Sequence, residues 1–471
     1  MAFASRIDVH QFLAKYGLAA HLALLAVAPL FLFPFCAASS VAVTLLWLTL
    51  LAAIWCALMP SVRGGERLHD ARARVVSESV RDPLFWASLV LALVVGLRAL
   101  NGGVRMAYDI EAAAWQLTTA AFPFYPGGAD GAGFLPFAVA LALVAVFVAT
   151  RHALGRSARQ AFLLMAAAVA GLAAVVFLVA AHLGHAGCAR LFAFPGAGVS
   201  FAGVAFGLYF LAGVASLYAA FERKWMSATF LAPLSVGGTA MGTFAFAPPL
   251  TAGLFAVAAL AVFALAFVCA MRTLRRQAEF RLLVVFALAL AMGGLLAGFL
   301  MPEAALSARL DAFAQRAFFP DGFWALRRTL SDLAFRAWKE SPWIGTGLGS
   351  FGLDIRFQAL PEDWAVIPRG QTAVPNGGWL LLAERGLVGV ALLLLPLGFL
   401  LFSYVRALVD WARRIGLPPP ATLLAPLVLV TLGVDALFGC SVLRADVLLG
   451  ACAALAIAAK SFPKRESHTN V

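Results

Sequence analysis

Apolar runs of about 20 residues recur along most of this 471-residue chain, and they leave little choice of fold. A helix of that length crosses a hydrocarbon core of about 30 Å. The predicted class is therefore an all-α polytopic membrane protein, a single integral membrane domain over residues 1–471. Composition agrees. The chain is 63% apolar and 12% charged, with a mean hydropathy of +0.92; soluble domains are roughly 45–50% apolar and about 25% charged. This balance excludes an ordinary soluble enzyme, a disordered chain and a coiled coil.

The runs predict about twelve spans, near 17–37, 39–60, 83–101, 134–150, 160–184, 200–220, 227–247, 250–271, 281–301, 386–405, 420–438 and 443–460. The seventh is diluted by Gly237, Gly238 and Gly242. Loop charge checks the count. Alternate loops carry Arg63, Arg67, Arg72, Arg74 and Arg81; Arg151, Arg156 and Arg159; Arg223 and Lys224; Arg272, Arg275 and Arg276; and Arg406, Arg413 and Arg414. Arg6 and Lys15 precede the first run, and Lys460, Lys464 and Arg465 follow the last. An even number of spans puts all of these on one side, which the positive-inside rule makes cytoplasmic, both termini included. The net charge of +12 is thus explained by membrane orientation, and no nucleic-acid partner is expected. The first run, beginning near Gly17, reads as an anchor and not as a removed signal peptide. Six scattered cysteines without a CxxC give no disulfide framework, no zinc site and no expected metal.

One outer segment is long. Residues 302–385 hold nine basic and nine acidic residues, and loops of this length translocate regardless of charge. A second outer loop, about 102–133, is apolar and Gly-rich, with Asp109 and Glu111.

The long segment carries the chemistry-bearing residues. Residues 321–340 read as a helix capped by Asp321 and stopped by Pro342, with a stripe of Phe323, Leu326, Leu330, Leu333 and Ala337. Arg328, Asp332 and Arg336 form a solvated face of alternating sign. Arg327 has no carboxylate among its helical neighbours Phe323, Trp324, Leu330 and Ser331. It either snorkels or meets an anion, for which its planar fork suits a phosphate. Gly345, Gly347 and Gly349 then alternate, forming either a nest of backbone N–H groups or a tight turn that needs glycine dihedrals. Asn376 caps the next helix, and Glu384 and Arg385 follow inside its apolar run. An ionisable residue there is either functional or interfacial. Asp435, Arg444 and Asp446 lie in the last two spans, where an Asp435–Arg444 pair across the short outer turn is expected.

These residues resemble the O-antigen ligase and O-antigen polymerase superfamily. Arg327, Pro342, Gly345, Gly347, Gly349 and Phe351 match the first part of its pattern. Asn376, Leu380, Ala383, Glu384, Gly386 and Gly389 match the second, and Val434-Asp435 a later piece. The match covers about 327–389. The resemblance implies a GT-C-like, metal-independent, inverting glycosyltransferase of the bacterial inner membrane, without a cofactor. Such enzymes take a glycan from an undecaprenyl-diphosphate carrier at the periplasmic face and pass it to lipid A–core, another glycan or another acceptor. Lipid-diphosphate leaving groups need arginines. Arg327 is the first candidate, assisted by Arg336 or Arg369, with Asn376 and Glu384 completing the expected substrate-binding set.

Two positions depart from the pattern. The family's base histidine falls at Pro375, which takes no proton, so the catalytic base is unassigned. Ala247-Pro248-Pro249-Leu250 stands where the family often has Ser-Arg-Gly. Asp109, Glu111, Asp354, His182 and His185 are the outer-side candidates for a replacement base. The alternative readings are an inactive relative that binds the lipid-linked glycan in a polysaccharide assembly complex, and a transporter or flippase.

Overall fold

The computed structural model describes residues 58–62, 66–100, 105–109, 114–118, 134–185, 206–214, 216–217, 226–246, 276–303, 320–347, 349–367, 376–413 and 445–460, with a few isolated positions between them. The expected spans near 17–37, 39–60, 250–271 and 420–438 lie wholly or mostly outside the described residues, as do Glu111, Arg369, Pro375, Asp435 and Arg444.

The regular elements among the described residues are helices and one hairpin. The helices are α1 (Leu68–Val80), α2 (Pro83–Leu100), α3 (Phe134–Val148), α4 (Arg156–His182), α5 (Met226–Phe246), α6 (Arg276–Leu300), α7 (Pro320–Glu340), α8 (Phe351–Gln358), α9 (Gly377–Arg413) and α10 (Ala445–Lys460). The hairpin pairs β1 (Arg105–Asp109) with β2 (Ala114–Thr118), Arg105 opposite Thr118, within the loop after α2. Among the described residues two helical stretches are long and apolar enough to cross a membrane, Ala158–His182 and Gly377–Arg406. α1 and α2, bent by 74°, add a third if the pair is one span.

The largest core gathers α4, α5, α6, α10 and the helical residues 206–214 and 216–217. Lipid gives no hydrophobic drive for helices to associate, so packing relies on small residues that let backbones approach. α5 lies between α4 and α6 on such terms. A Cβ on Gly238 would sit 2.8 Å from Gly171 Cα, and one on Gly293 would sit 2.6 Å from Gly237 O. The glycines that dilute the seventh apolar run are thus its packing surface. Thr239 and Thr243, buried in the same helix, donate their hydroxyls to Ser235 O and Thr239 O at 2.6 and 2.7 Å, so neither is left bare in the apolar core.

A second core joins α7, α8 and the start of α9, through Leu330, Leu333, Ala334, Ala337, Phe351, Ile355, Val374, Leu380 and Ala383. α7 buries Leu330, Leu333 and Ala337 of the expected stripe with Leu326 packed against them, while Arg328 and Asp332 face outward as a charged surface should. The helix begins at Pro320, one residue before the expected cap at Asp321. Proline suits a first helical position because its missing N–H has no partner there anyway.

At the bend between α1 and α2 the chain buries a charge cluster. Arg151 and His152, presented side by side by a π-helical turn over Ala149–Ala153, both contact Asp82. His152 also lies 3.4 Å from Glu78, which accepts from Lys460 of α10 at 2.7 Å. Opposite charges thus tie α1, α2, the π turn and α10 at one end of α2.

Candidate functional site

The other end of α2 meets the second core. α9 would be one unbroken helix but for Gly386, whose φ of 64° and ψ of −176° open its hydrogen-bond ladder. A break inside an apolar helix strands backbone groups, and each needs a partner within the protein. The loop 342–347 supplies them. Leu387 N–H donates to Pro342 O at 2.9 Å and Val388 N–H to Trp343 O at 3.0 Å, while Thr346 N–H donates to Ala383 O at 2.9 Å and Gly347 N–H to Glu384 O at 3.1 Å.

The two segments cross at backbone contact, which explains two of the motif glycines. A Cβ on Gly345 would lie 2.4 Å from the Glu384 carbonyl carbon, and one on Gly386 would lie 2.4 Å from the Trp343 carbonyl. Both residues also have φ near +70°, a region L side chains rarely enter. Gly347 and Gly349, at φ 117° and 72°, complete the turn-forming set. The alternation of glycines therefore serves a turn.

Arg98, from α2, closes the crossing. Its guanidinium donates to Ile344 O, to Glu384 O at 3.0 Å and to Arg385 O at 3.4 Å, in a residue only 5% exposed. A planar fork with five N–H groups is well suited to three carbonyls that converge from two segments.

The side chain of Glu384, 8% exposed, reaches back to the glycine loop and accepts the backbone N–H groups of Gly349 and Phe351. Those N–H groups lie at the start of α8, whose dipole favours negative charge there. Two backbone N–H groups beside the glycine turn thus hold a carboxyl group of the chain itself. Asp354, in the first turn of α8 and 4% exposed, accepts from Thr346 at 2.8 Å and Ser350 at 3.2 Å. Burial pushes its pKa up to about 6, against the two hydroxyl hydrogen bonds and with help from the charge of Glu340.

Three other sequence candidates, Asn376, Arg327 and Arg336, belong to the elements that build this joint. Asn376 Oδ1 accepts the N–H groups of Gly378 and Trp379 at 3.1 and 3.3 Å, so it caps α9 as its residue type and place suggest. Arg327 is 7% exposed on the face of α7 that carries Leu330 and Ala334, and burial pulls its guanidinium pKa below the ordinary value. Arg336 is partly exposed and reaches Gln358 O at 3.3 Å and Asp363 at 3.7 Å, tying α7 to the segment after α8. His182 and His185 are exposed at the end of α4.

The loop, Asn376, Glu384 and Arg327 thus fall in one unit built by α7, α8 and the head of α9. Sequence reasoning passed over Arg98, and the signal for it was present: an arginine three residues inside the end of a predicted span. Thr346 and Ser350 carried no such signal. Among the described residues no group of three or more His, Cys, Asp or Glu side chains is arranged to hold a metal ion. The chain matches no protein-family model and no curated protein.

Proposed function

We propose that the chain is a membrane glycosyltransferase. It moves a glycan from an undecaprenyl-diphosphate carrier to lipid A–core, a glycan or another acceptor at the periplasmic face of the bacterial inner membrane. The proposed frame is GT-C-like, with about twelve spans and both termini cytoplasmic. The observation that carries the reading is the joint itself. A buried-arginine helix, a glycine loop and a broken apolar helix meet at the head of a candidate span, where a lipid-borne diphosphate would present its reacting carbon.

In the reaction an acceptor oxygen forms a bond to the anomeric carbon. The bond from that carbon to the diphosphate breaks with its electron pair, and the acceptor loses a proton. Negative charge grows on the leaving diphosphate. A guanidinium held in a partly dry site is worth more there than in water. Arg327 has that character: it is buried on a polar helix, and the cost to its charge is the depression of its pKa. Arg98, Glu384 and Asn376 hold the joint.

A second reading, a non-catalytic relative that binds the lipid-linked glycan, is favoured by Pro375 at the position of the pattern's base. Purified protein in nanodiscs, given undecaprenyl-diphosphate-linked glycan and an acceptor without added metal, separates the two. A product of higher mass supports transfer. Saturable binding of the carrier without product supports the second reading.

A further inference from the structure

Around Asp354, two hydroxyls and one carboxyl make more short contacts than they have hydrogens. Asp354 Oδ2 lies 2.8 Å from Thr346 Oγ1 and 3.2 Å from Ser350 Oγ. The two hydroxyls are 2.7 Å apart. Ser350 Oγ is 2.8 Å from Gly347 O, and Thr346 Oγ1 is 3.2 Å from Ala383 O. A hydroxyl has one hydrogen to donate, and an ionised carboxylate has none. Two hydrogens therefore serve five contacts while Asp354 is charged, and a proton on Asp354 supplies a third donor.

The surroundings favour that proton. Asp354 and Ser350 are buried, whereas Thr346 is half-buried and is the outermost of the three. The charged group that acts on Asp354 is Glu340, at the end of α7; on α9 the charge of Asp354 acts in turn on Glu384, which Arg385 offsets. The Glu340 carboxylate opposes a second negative charge at Asp354. A carboxyl poised near 6 also suits a base that works around neutrality.

We propose that Asp354, reached through the Thr346 hydroxyl, is the proton acceptor of this site and does the work that Pro375 cannot. The proposal rests on the transfer reading above. The acceptor hydroxyl passes its proton to Thr346 Oγ1 as the hydrogen of Thr346 moves to Asp354 Oδ2. The acceptor oxygen bonds the anomeric carbon, and the electron pair of the breaking bond leaves with the diphosphate. The charge lost at Asp354 appears on the leaving group. Asp354 then returns the proton to solvent by the same path.

The test uses the full chain in nanodiscs with undecaprenyl-diphosphate-linked glycan and an acceptor between pH 5 and 8, comparing wild type with Asp354→Asn, Thr346→Val and Thr346→Ser. The expected wild-type rate climbs with pH through about 6 and then levels. Asp354→Asn loses about 10²–10⁴-fold and loses the climb. Thr346→Val falls similarly, while Thr346→Ser stays within a few-fold of wild type. Carrier binding retained by Asp354→Asn shows that the loss is not one of folding. Infrared difference spectra read the proton without turnover: a protonated-carboxyl band that fades above about pH 6 is expected in wild type and absent from Asp354→Asn. An Asp354→Asn enzyme with the wild-type rate and pH profile overturns the proposal, as does the absence of that band. A wild type that shows the band but transfers nothing overturns the transfer reading, and the catalytic role of Asp354 falls with it.

Discussion

The Arg98 guanidinium donates to the backbone carbonyl of Glu384 at 3.0 Å, across 286 residues of sequence. That bond, with those to Ile344 O and Arg385 O, supplies a donor to carbonyls on both segments where an apolar helix breaks at Gly386. It also fastens the long loop to α2, whose opposite end is held by the cluster around Asp82.

Replacing Arg98 with Leu should therefore cost more than its volume suggests. Three carbonyls lose a charged donor, and hydrogen bonds to charged groups are worth about 1.5–3 kcal/mol each before non-additivity. A drop in the unfolding temperature in detergent, together with faster proteolysis between residues 302 and 385, is expected. An unchanged profile would mean that the loop is held without it.

Gly345→Ala and Gly386→Ala should each destabilise the same joint. Both place a methyl 2.4 Å from the opposing backbone, at a positive φ. Conformational strain alone is on the order of 1–3 kcal/mol, and the clash adds to it. Gly398→Ala, also in α9, meets nothing within 4 Å and serves as the control. In a helix interior it should be neutral or stabilising by up to about 1 kcal/mol. Thermal unfolding of the three variants side by side checks the contrast.

Asp354 makes stability depend on pH in a defined direction. Its carboxyl in the folded chain is raised from 3.8 to about 6, so the folded state holds the proton more tightly than the unfolded state. That contribution is fully present below about pH 4 and is lost as pH rises through about 6. Its size is on the order of 3 kcal/mol. Asp354→Asn should remove this part of the pH dependence and be the more stable protein at pH 7.5. Unfolding temperatures for both proteins between pH 4 and 8 measure the difference.

At the far end of α2, Asp82→Asn removes the carboxylate shared by Arg151 and His152. Breaking a buried pair from one side typically costs about 3–5 kcal/mol. Loss of folded protein on extraction, relieved in part by also replacing Arg151 with Met, is the expected signature.

The sequence carries the elements of this site better than their connections. The apolar stripe of α7, the Asn376 cap and the turn glycines follow from local rules, and each is where periodicity and residue type put it. Glu384 announces itself as a charge in an apolar run. Its partners are the backbone N–H groups of Gly349 and Phe351, and main-chain groups leave no mark in a sequence. Arg98 stands out as a charge near the end of a span, but its partners are silent for the same reason, since all three are carbonyls. Hydropathy counts Gly237, Gly238 and Gly242 against a span, although close helix packing in lipid calls for such residues. Asp354 stands in the sequence as one of several outer-side base candidates, but nothing there joins it to Thr346, which the fold at Gly345 brings to it.

Arg327 tests the central reading most directly. Transfer from undecaprenyl-diphosphate-linked glycan, without added metal, is measured for wild type and Arg327→Ala at saturating acceptor. If Arg327 stabilises the leaving diphosphate, wild type forms a higher-mass product and the variant loses about 10²–10³-fold in rate, the scale for removing one charge-stabilising donor. Equal rates from the two proteins, or no product from wild type under conditions where it binds the carrier, would contradict it.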